Sequence, residues 1–186
     1  MDAWDIGQLV LWIVVLANLL LTVALVRRVA ALGAAPAAGA AAGGLPTGAA
    51  APAFTARTPD GDERTRADLG DGPLVLGFFS PTCDACYDHA PHFAELVGRT
   101  PGVAAAAVVD GDAETSQRLR ERIPGDVPVL LARRPANPLL GAYLVDAYPT
   151  YTAVVDGTVA GSFGSVPELQ RWLAATAPSR AGVQTP

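Results

Sequence analysis

The chain has 186 residues, a formal net charge of −5 at pH 7 and no lysine, and 51% of its residues are hydrophobic. This acidic balance excludes a basic surface for phosphate backbones, so we expect no nucleic-acid partner. Only two cysteines are present, three positions apart, which excludes a small fold held together by a disulfide framework. The length suits one globular domain with additional segments at its ends.

The N-terminal segment Ile6–Val26 contains no charged residue. A helix of this length spans the ~30 Å of a bilayer core, so the sequence predicts a single transmembrane anchor over residues 1–28. A buried core helix and a cleaved signal peptide remain alternatives. Arg27 and Arg28 follow the apolar run, and the positive-inside rule would place what comes after them in the cytoplasm.

The composition divides the rest of the chain into three parts. Residues 29–53 are mostly Ala, Gly and Pro, with too little side-chain area to offset the entropy of folding, so we predict a flexible linker. Residues 54–178 have a globular composition, and residues 179–186 are expected to form a disordered tail.

The globular part alternates strands and helices, which predicts an α/β sandwich with a mixed sheet. The first four predicted elements are a buried strand at 74–79, a helix at 83–97, a strand at 103–109 and an exposed helix at 113–122. A strand at 127–132, a short helix at 137–145, a hairpin of 151–155 and 159–163, and a last helix capped by Ser165 complete the series. Arg133 and Arg134 are interpreted as solvated surface charge.

Cys83 and Cys86 form the most informative motif of the sequence. Cys83 lies where the strand ends and the helix begins, and the free N–H groups and dipole of a helix N-terminus favour a thiolate. Cys86 follows one turn later on the same face, within reach of Cys83, which is typical of a redox-active pair. A metal site that also uses His89 and His92, a purely structural disulfide, and two inert thiols remain alternatives.

The sequence resembles the thioredoxin superfamily. The resemblance rests on the Cys83-Asp84-Ala85-Cys86 motif, on Pro91, and on Tyr148-Pro149-Thr150 ahead of an Asp-Gly hairpin. The apolar N-terminus, the Ala-rich linker and the segment FFSPTCDAC are similar to the membrane-anchored TlpA/ResA-like thiol–disulfide oxidoreductases. The N-terminal region also resembles that of MauD-type methylamine-utilisation proteins.

The resemblance implies a thioredoxin-like domain that exchanges disulfides with protein substrates. Cys83 would attack, Cys86 would resolve the mixed disulfide, and Tyr148, Pro149 (cis in the superfamily) and Thr150 would hold the substrate. No cofactor or metal is implied, and the electrons would come from a dithiol protein. The resemblance places the catalytic domain outside the cytoplasm, in opposition to the charge flanks. The alternative function is a thiolate module that delivers metal to a metalloprotein.

The sequence departs from the superfamily at two positions beneath the motif. Gly77 stands where thioredoxins have a buried Asp, and His89 stands where TlpA/ResA-like proteins often have a Glu. An imidazole exchanges protons near neutral pH, so His89 is a candidate proton acceptor for Cys86. Peroxidases of related fold carry a Thr three residues before the reactive cysteine, whereas the only neighbouring threonine here, Thr82, is directly adjacent to Cys83.

Overall fold

A computed structural model describes residues 3–33, 43–70 and 72–176 of the chain. The chain divides into two compact units between Ala40 and Ala41. The predicted C-terminal tail at 179–186 lies outside the described residues.

The first unit contains one long helix, α1 (Ala3–Gly33), which covers most of the predicted anchor and continues beyond it. The side chains that are described over residues 12–24 are exposed, with exposed fractions of 60% for Trp12 and 68% for Leu20. Among residues 3–33, 43–70 and 72–176, no helix combines the length and the apolarity needed to cross a membrane. The anchor therefore stays a prediction from the sequence.

The second unit is built on one mixed sheet of seven strands. In chain order the strands are β1 (Thr55–Arg57), β2 (Glu63–Thr65), β3 (Leu74–Phe79), β4 (Ala104–Val109), β5 (Val129–Leu131), β6 (Thr150–Val155) and β7 (Thr158–Phe163). Their order across the sheet is β2-β1-β5-β4-β3-β6-β7. The pairs β3–β4 and β4–β5 are parallel, and the other neighbours are antiparallel. The predicted strands thus form β5, β4, β3 and β6 in the interior of the sheet and β7 at its edge.

Four helices follow α1, and they cover the two faces of the sheet. They are α2 (Asp84–Gly98), α3 (Gln117–Arg120), α4 (Leu139–Ala142) and α5 (Val166–Thr176). Side chains of α2 and α5 join one buried cluster, and those of α4 join the other. The side chains of β3 alternate between the clusters, with Phe79 on the α2 side and Phe78 on the α4 side, as the period of two in a strand requires. The strand that leads to Cys83 is therefore held from both faces.

The structure differs from the sequence predictions at the start and at one helix of the second unit. Residues 43–53, predicted as flexible linker, are ordered along the hairpin: the Gly48 N–H donates to the Val159 carbonyl at 2.8 Å, and the Ala51 N–H donates to the Gly157 carbonyl at 2.8 Å. These backbone hydrogen bonds need no side chains, so the composition does not reveal them. The helix expected at 113–122 is confined to α3, because Asp112 and Thr115 form a hydrogen-bonded turn before it.

Candidate active site

The Cys83–Cys86 motif lies at the junction between β3 and α2. Cys83 is the residue before α2, with extended backbone angles of φ −104° and ψ 107°. The turn is closed by two backbone hydrogen bonds, from the Cys83 N–H to the Ser80 carbonyl at 3.1 Å and from the Cys86 N–H to the Cys83 carbonyl at 3.0 Å. The predicted placement of Cys83 at a helix N-terminus is confirmed.

The two thiols, both free, have different environments. Cys83 is half-buried, whereas Cys86 has an exposed fraction of 0%. Burial raises the pKa of Cys86, the neighbouring Cys83 raises it further, and the Ser80 N–H, 3.5 Å from the Cys86 sulfur, opposes them. Only Cys83 is accessible to a substrate disulfide, and Cys86 is held as a protonated thiol behind it.

The loop before β6 forms the wall opposite Cys83. The Tyr148-Pro149 peptide bond is cis, and the Tyr148 carbonyl oxygen accepts a contact from the Cys83 sulfur at 3.5 Å. Thr150 is buried, and its hydroxyl donates to the Ala147 carbonyl at 2.8 Å. The structure thus brings all three residues predicted to hold the substrate to the same end of the sheet as the cysteines.

The Tyr148 side chain reaches two residues that the sequence did not single out for function. Its hydroxyl donates to Asp110 Oδ2 at 2.8 Å, and Arg134 Nη2 lies 3.2 Å from the same hydroxyl. Arg134, interpreted from the sequence as solvated surface charge, is exposed, and its guanidinium also donates to the Val145 carbonyl. One feature of the sequence pointed to Asp110, which directly follows a buried strand. That strand is parallel to β3, so Asp110 lies at the edge of the sheet that carries the motif.

Aromatic rings fill the space beneath the motif, where thioredoxins carry an acid. Tyr151 lies opposite Gly77 in the sheet. Its ring stacks on Phe93 with centroids 5.5 Å apart and meets Phe79 edge-on at 5.9 Å. A Cβ atom at Gly77 would come within 3.0 Å of both phenylalanine rings, so this packing has no room for a larger residue.

His89 is half-buried on α2, one turn beyond Cys86, and its Nδ1 lies 3.2 Å from the Tyr151 hydroxyl. Burial raises the pKa of Tyr151, and the two cysteines raise it further, so its hydroxyl keeps its proton. A tyrosine hydroxyl both donates and accepts, so it satisfies either protonation state of the imidazole. Tyr151 is a further residue that sequence analysis missed, since its position in an apolar strand suggested core packing alone.

The described residues offer no metal site. Within 3–33, 43–70 and 72–176, no three His, Cys, Asp or Glu side chains come together with the geometry of metal ligands. His92, considered with His89 as a ligand, is exposed on α2.

Comparisons with known proteins agree with this arrangement. The model of the AhpC/TSA family matches residues 47–171, and no curated protein matches the chain. A secreted disulfide oxidoreductase of Mycobacterium tuberculosis, homologous to E. coli DsbE, is 25% identical and superposes with a TM-score of 0.57 over 66% of this chain and 95% of its own. A thiol:disulfide interchange protein from Bacteroides sp. is 18% identical, with a TM-score of 0.64 over 75% and 96%.

A peroxiredoxin-like protein from Aquifex aeolicus is 16% identical, with a TM-score of 0.56 over 71% of this chain and 88% of its own. At these identities the last two proteins establish the fold alone. The thioredoxin-like α/β fold with a mixed sheet, predicted from the sequence, is confirmed, and it presents a Cys83–Cys86 pair of the thiol–disulfide oxidoreductase kind.

Proposed function

The chain belongs to the AhpC/TSA family, and from this premise we propose that it exchanges disulfides with protein substrates through Cys83 and Cys86. The observation that carries the proposal is the pair of unequal thiols. The half-buried Cys83 sulfur faces the Pro149 loop, and the buried Cys86 sulfur lies one helical turn behind it. This order of access assigns attack to Cys83 and resolution to Cys86.

The reaction proceeds in two exchanges. The Cys83 thiolate attacks one sulfur of a substrate disulfide, which forms a mixed disulfide and releases the other substrate sulfur as a thiolate. The Cys86 thiolate then attacks the Cys83 sulfur, so the second substrate thiolate leaves and a Cys83–Cys86 disulfide remains. Two electrons pass to the substrate, both of its sulfurs take up protons, and a dithiol protein donor reduces the pair again. The opposite direction uses the same steps in reverse, and the reduction potential decides between the two.

The substrate would lie in extended form beside Tyr148, Pro149 and Thr150. Support comes from the Tyr148 carbonyl, which is 3.5 Å from the Cys83 sulfur, and from the partial exposure of Pro149. Backbone groups next to the reactive sulfur recognise a peptide without requiring a particular side chain. A broad class of protein disulfides is therefore the expected substrate.

His89 would accept the proton that Cys86 loses during resolution. The raised pKa of Cys86 makes this proton transfer necessary near neutral pH. Within the aromatic packing, His89 is the half-buried imidazole next to this thiol along the helix, and Tyr151 satisfies it in both protonation states. The pKa of Tyr151 is raised, so Tyr151 itself does not act as the base.

We place the catalytic unit outside the cytoplasm, tethered to the membrane by the N-terminal helix. The uncharged run Ile6–Val26 and the similarity to a secreted M. tuberculosis oxidoreductase support this placement, and Arg27 and Arg28 oppose it. Labelling of Cys83 by a membrane-impermeant maleimide in intact, reduced cells would support it. Labelling only after lysis would place the unit in the cytoplasm, and recovery of the protein in the soluble fraction would refute the tether.

The decisive experiment is turnover of a fluorogenic peptide disulfide by the full chain with a dithiol donor, together with the reduction potential of the pair. We expect turnover that the Cys83→Ser variant lacks. Retention of zinc after gel filtration without exchange would favour the metal-delivery alternative, which no contact among the described residues supports. Consumption of hydrogen peroxide without exchange would favour a peroxidase, although the Thr82 hydroxyl contacts Ser80 and not the Cys83 sulfur.

A further inference from the structure

Tyr148, Asp110 and Arg134 come from three loops that meet beside Cys83. We call these three residues the Tyr148 clamp. Asp110 directly follows β4, Arg134 follows β5, and Tyr148 precedes β6. All three positions lie at the carboxyl ends of the parallel strands or at the adjacent start of β6, which is the edge that carries the cysteine motif. The clamp therefore joins segments that are separate along the chain.

The contacts of the clamp satisfy the Tyr148 hydroxyl on both sides. It donates to Asp110 Oδ2 at 2.8 Å, and Arg134 Nη2 donates to it at 3.2 Å. Arg134 also holds the carboxylate, with its backbone N–H 3.2 Å from Oδ1 and its Nε 3.6 Å from Oδ2. Burial and the contact with Asp110 raise the pKa of Tyr148, so the hydroxyl stays a donor throughout the physiological range.

The clamp is tied at one end to the strand that leads to Cys83 and at the other end to the Cys83 sulfur. The Asp110 N–H donates to the Phe79 carbonyl at 2.9 Å, at the end of the strand that leads to Cys83. The Tyr148 carbonyl meets the Cys83 sulfur at 3.5 Å. The distance between this sulfur and the backbone beside Pro149 thus depends on where the clamp holds the Tyr148 ring.

The shelter of the Asp110 carboxylate distinguishes this ion pair from its neighbour, although the Arg134 side chain is 45% exposed. The Asp110 side chain is 21% exposed, compared with 41% for Asp112 in the neighbouring pair with Arg133. Exposed pairs contribute little to stability because solvent screens them. The Asp110–Arg134 pair instead fixes the direction of a hydroxyl, which is a geometric role.

We infer that Asp110 and Arg134 are positioning residues that hold the Tyr148 backbone ready for an extended peptide disulfide. The inference rests on the proposed function and adds a class of substrate that depends on the clamp. A peptide disulfide uses the backbone beside Pro149 as well as Cys83. A small aromatic disulfide has no backbone to place there, so it uses Cys83 alone.

The test compares both substrates in full-length Tyr148→Phe, Asp110→Asn and Arg134→Met variants. Loss of a hydrogen bond to a charged group is expected to lower kcat/KM for the peptide disulfide by about tenfold, mainly through KM. The rate of the Asp110→Asn and Arg134→Met variants with 5,5′-dithiobis(2-nitrobenzoate) should stay within about twofold of the parent rate, since these two side chains contact Tyr148 and each other and do not contact the Cys83 sulfur. The Tyr148→Phe/Asp110→Asn double variant should be no slower than the worse single variant, because Tyr148→Phe already removes the hydroxyl through which Asp110 acts.

The matched control is Tyr143→Phe. Tyr143 lies in the buried cluster on the α4 side of the sheet, and its hydroxyl donates to the Pro52 carbonyl at 3.0 Å. This variant should keep the parent ratio of the two rates. Equal losses with both substrates, or no loss with either, would overturn the clamp. If Tyr148→Phe fails to fold, the same comparison in Arg134→Met, whose side chain is 45% exposed in the parent, decides the question. A parent that turns over neither substrate would refute the proposed function itself.

Discussion

The two sides of the Cys83–Cys86 motif differ in polarity. The side beneath α2 is apolar, with the rings of Phe79, Phe93 and Tyr151 packed against one another. The side formed by the loop before β6 is polar, and charged groups there hold the Tyr148 ring through directional hydrogen bonds. The apolar side controls protonation of the buried Cys86 thiol. The polar side controls the shape of the surface beside the half-buried Cys83 thiol.

The difference teaches that this site separates two tasks. Burial against the apolar side raises the pKa of Cys86 and keeps it a protonated thiol. A polar wall fixes main-chain atoms, since hydrogen bonds specify position more sharply than apolar contacts do. The following predictions test whether the two sides differ in the way the structure implies.

Substitution of either cysteine should have the largest effect on activity. The Cys83→Ser variant is expected to lose exchange completely, because the buried sulfur cannot reach a substrate. The Cys86→Ser variant should still attack but should fail to resolve, and should accumulate mixed disulfides on non-reducing gels. If Cys83→Ser retains full activity and Cys86→Ser traps no partner, the roles of attack for Cys83 and resolution for Cys86 are wrong.

Enlargement of Gly77 should damage the apolar side. Its Cβ would lie 2.9 Å from Phe79 and 3.0 Å from Phe93, and overpacking of this kind costs about 1–3 kcal/mol. Urea unfolding of Gly77→Ala should show that loss in the free energy of unfolding. The control is Gly98→Ala at the end of α2, where a Cβ meets nothing within 4 Å and no loss is expected. Equal free energies of unfolding for the two variants would show that the aromatic rings beneath the motif are loosely packed.

Stability of the reduced protein should fall at alkaline pH. The pKa of Cys86 is raised above the ordinary value of 9.0, so the stability it contributes is present below pH 9 and is lost as pH rises above it. Relative to the Cys86→Ala variant, the free energy of unfolding should decline by about 1.4 kcal/mol in total between pH 8 and 10. Urea titrations between pH 8 and 10 measure this difference. Parallel curves for the two proteins would mean that the Cys86 thiol is solvated.

Removal of the His89 imidazole should have the smallest effect. Resolution of the mixed disulfide in His89→Ala is expected to slow by up to about tenfold, with its pH midpoint moved upward, because a proton acceptor is lost. Stopped-flow resolution across pH 6–9 measures this rate. The matched control is His92→Ala, which removes an exposed histidine three residues further along the same helix. Superimposable profiles for both variants would leave His89 as a packing residue.

The elements next to the motif were predictable because their signals are local. The apolar run 74–79 and the cysteines at the helix start follow from short-range sequence patterns, and the structure places β3 and α2 at those positions. The strands β1 and β2 were missed because each has three residues, too few for a visible alternation. The position of β1 depends on pairing with β5, which lies more than sixty residues away, and β2 pairs with β1.

The sequence by itself determined the reactive chemistry, since a thiol at a helix N-terminus with a second thiol one turn later is a local arrangement. Only the tertiary structure decided which residues surround it. Tyr148 and Asp110 are 38 positions apart, and they meet because parallel strands end at one edge of the sheet. Tyr151 reaches His89 across 62 positions because β6 pairs with β3 beneath α2. Such contacts arise from strand order, which no short stretch of the chain encodes.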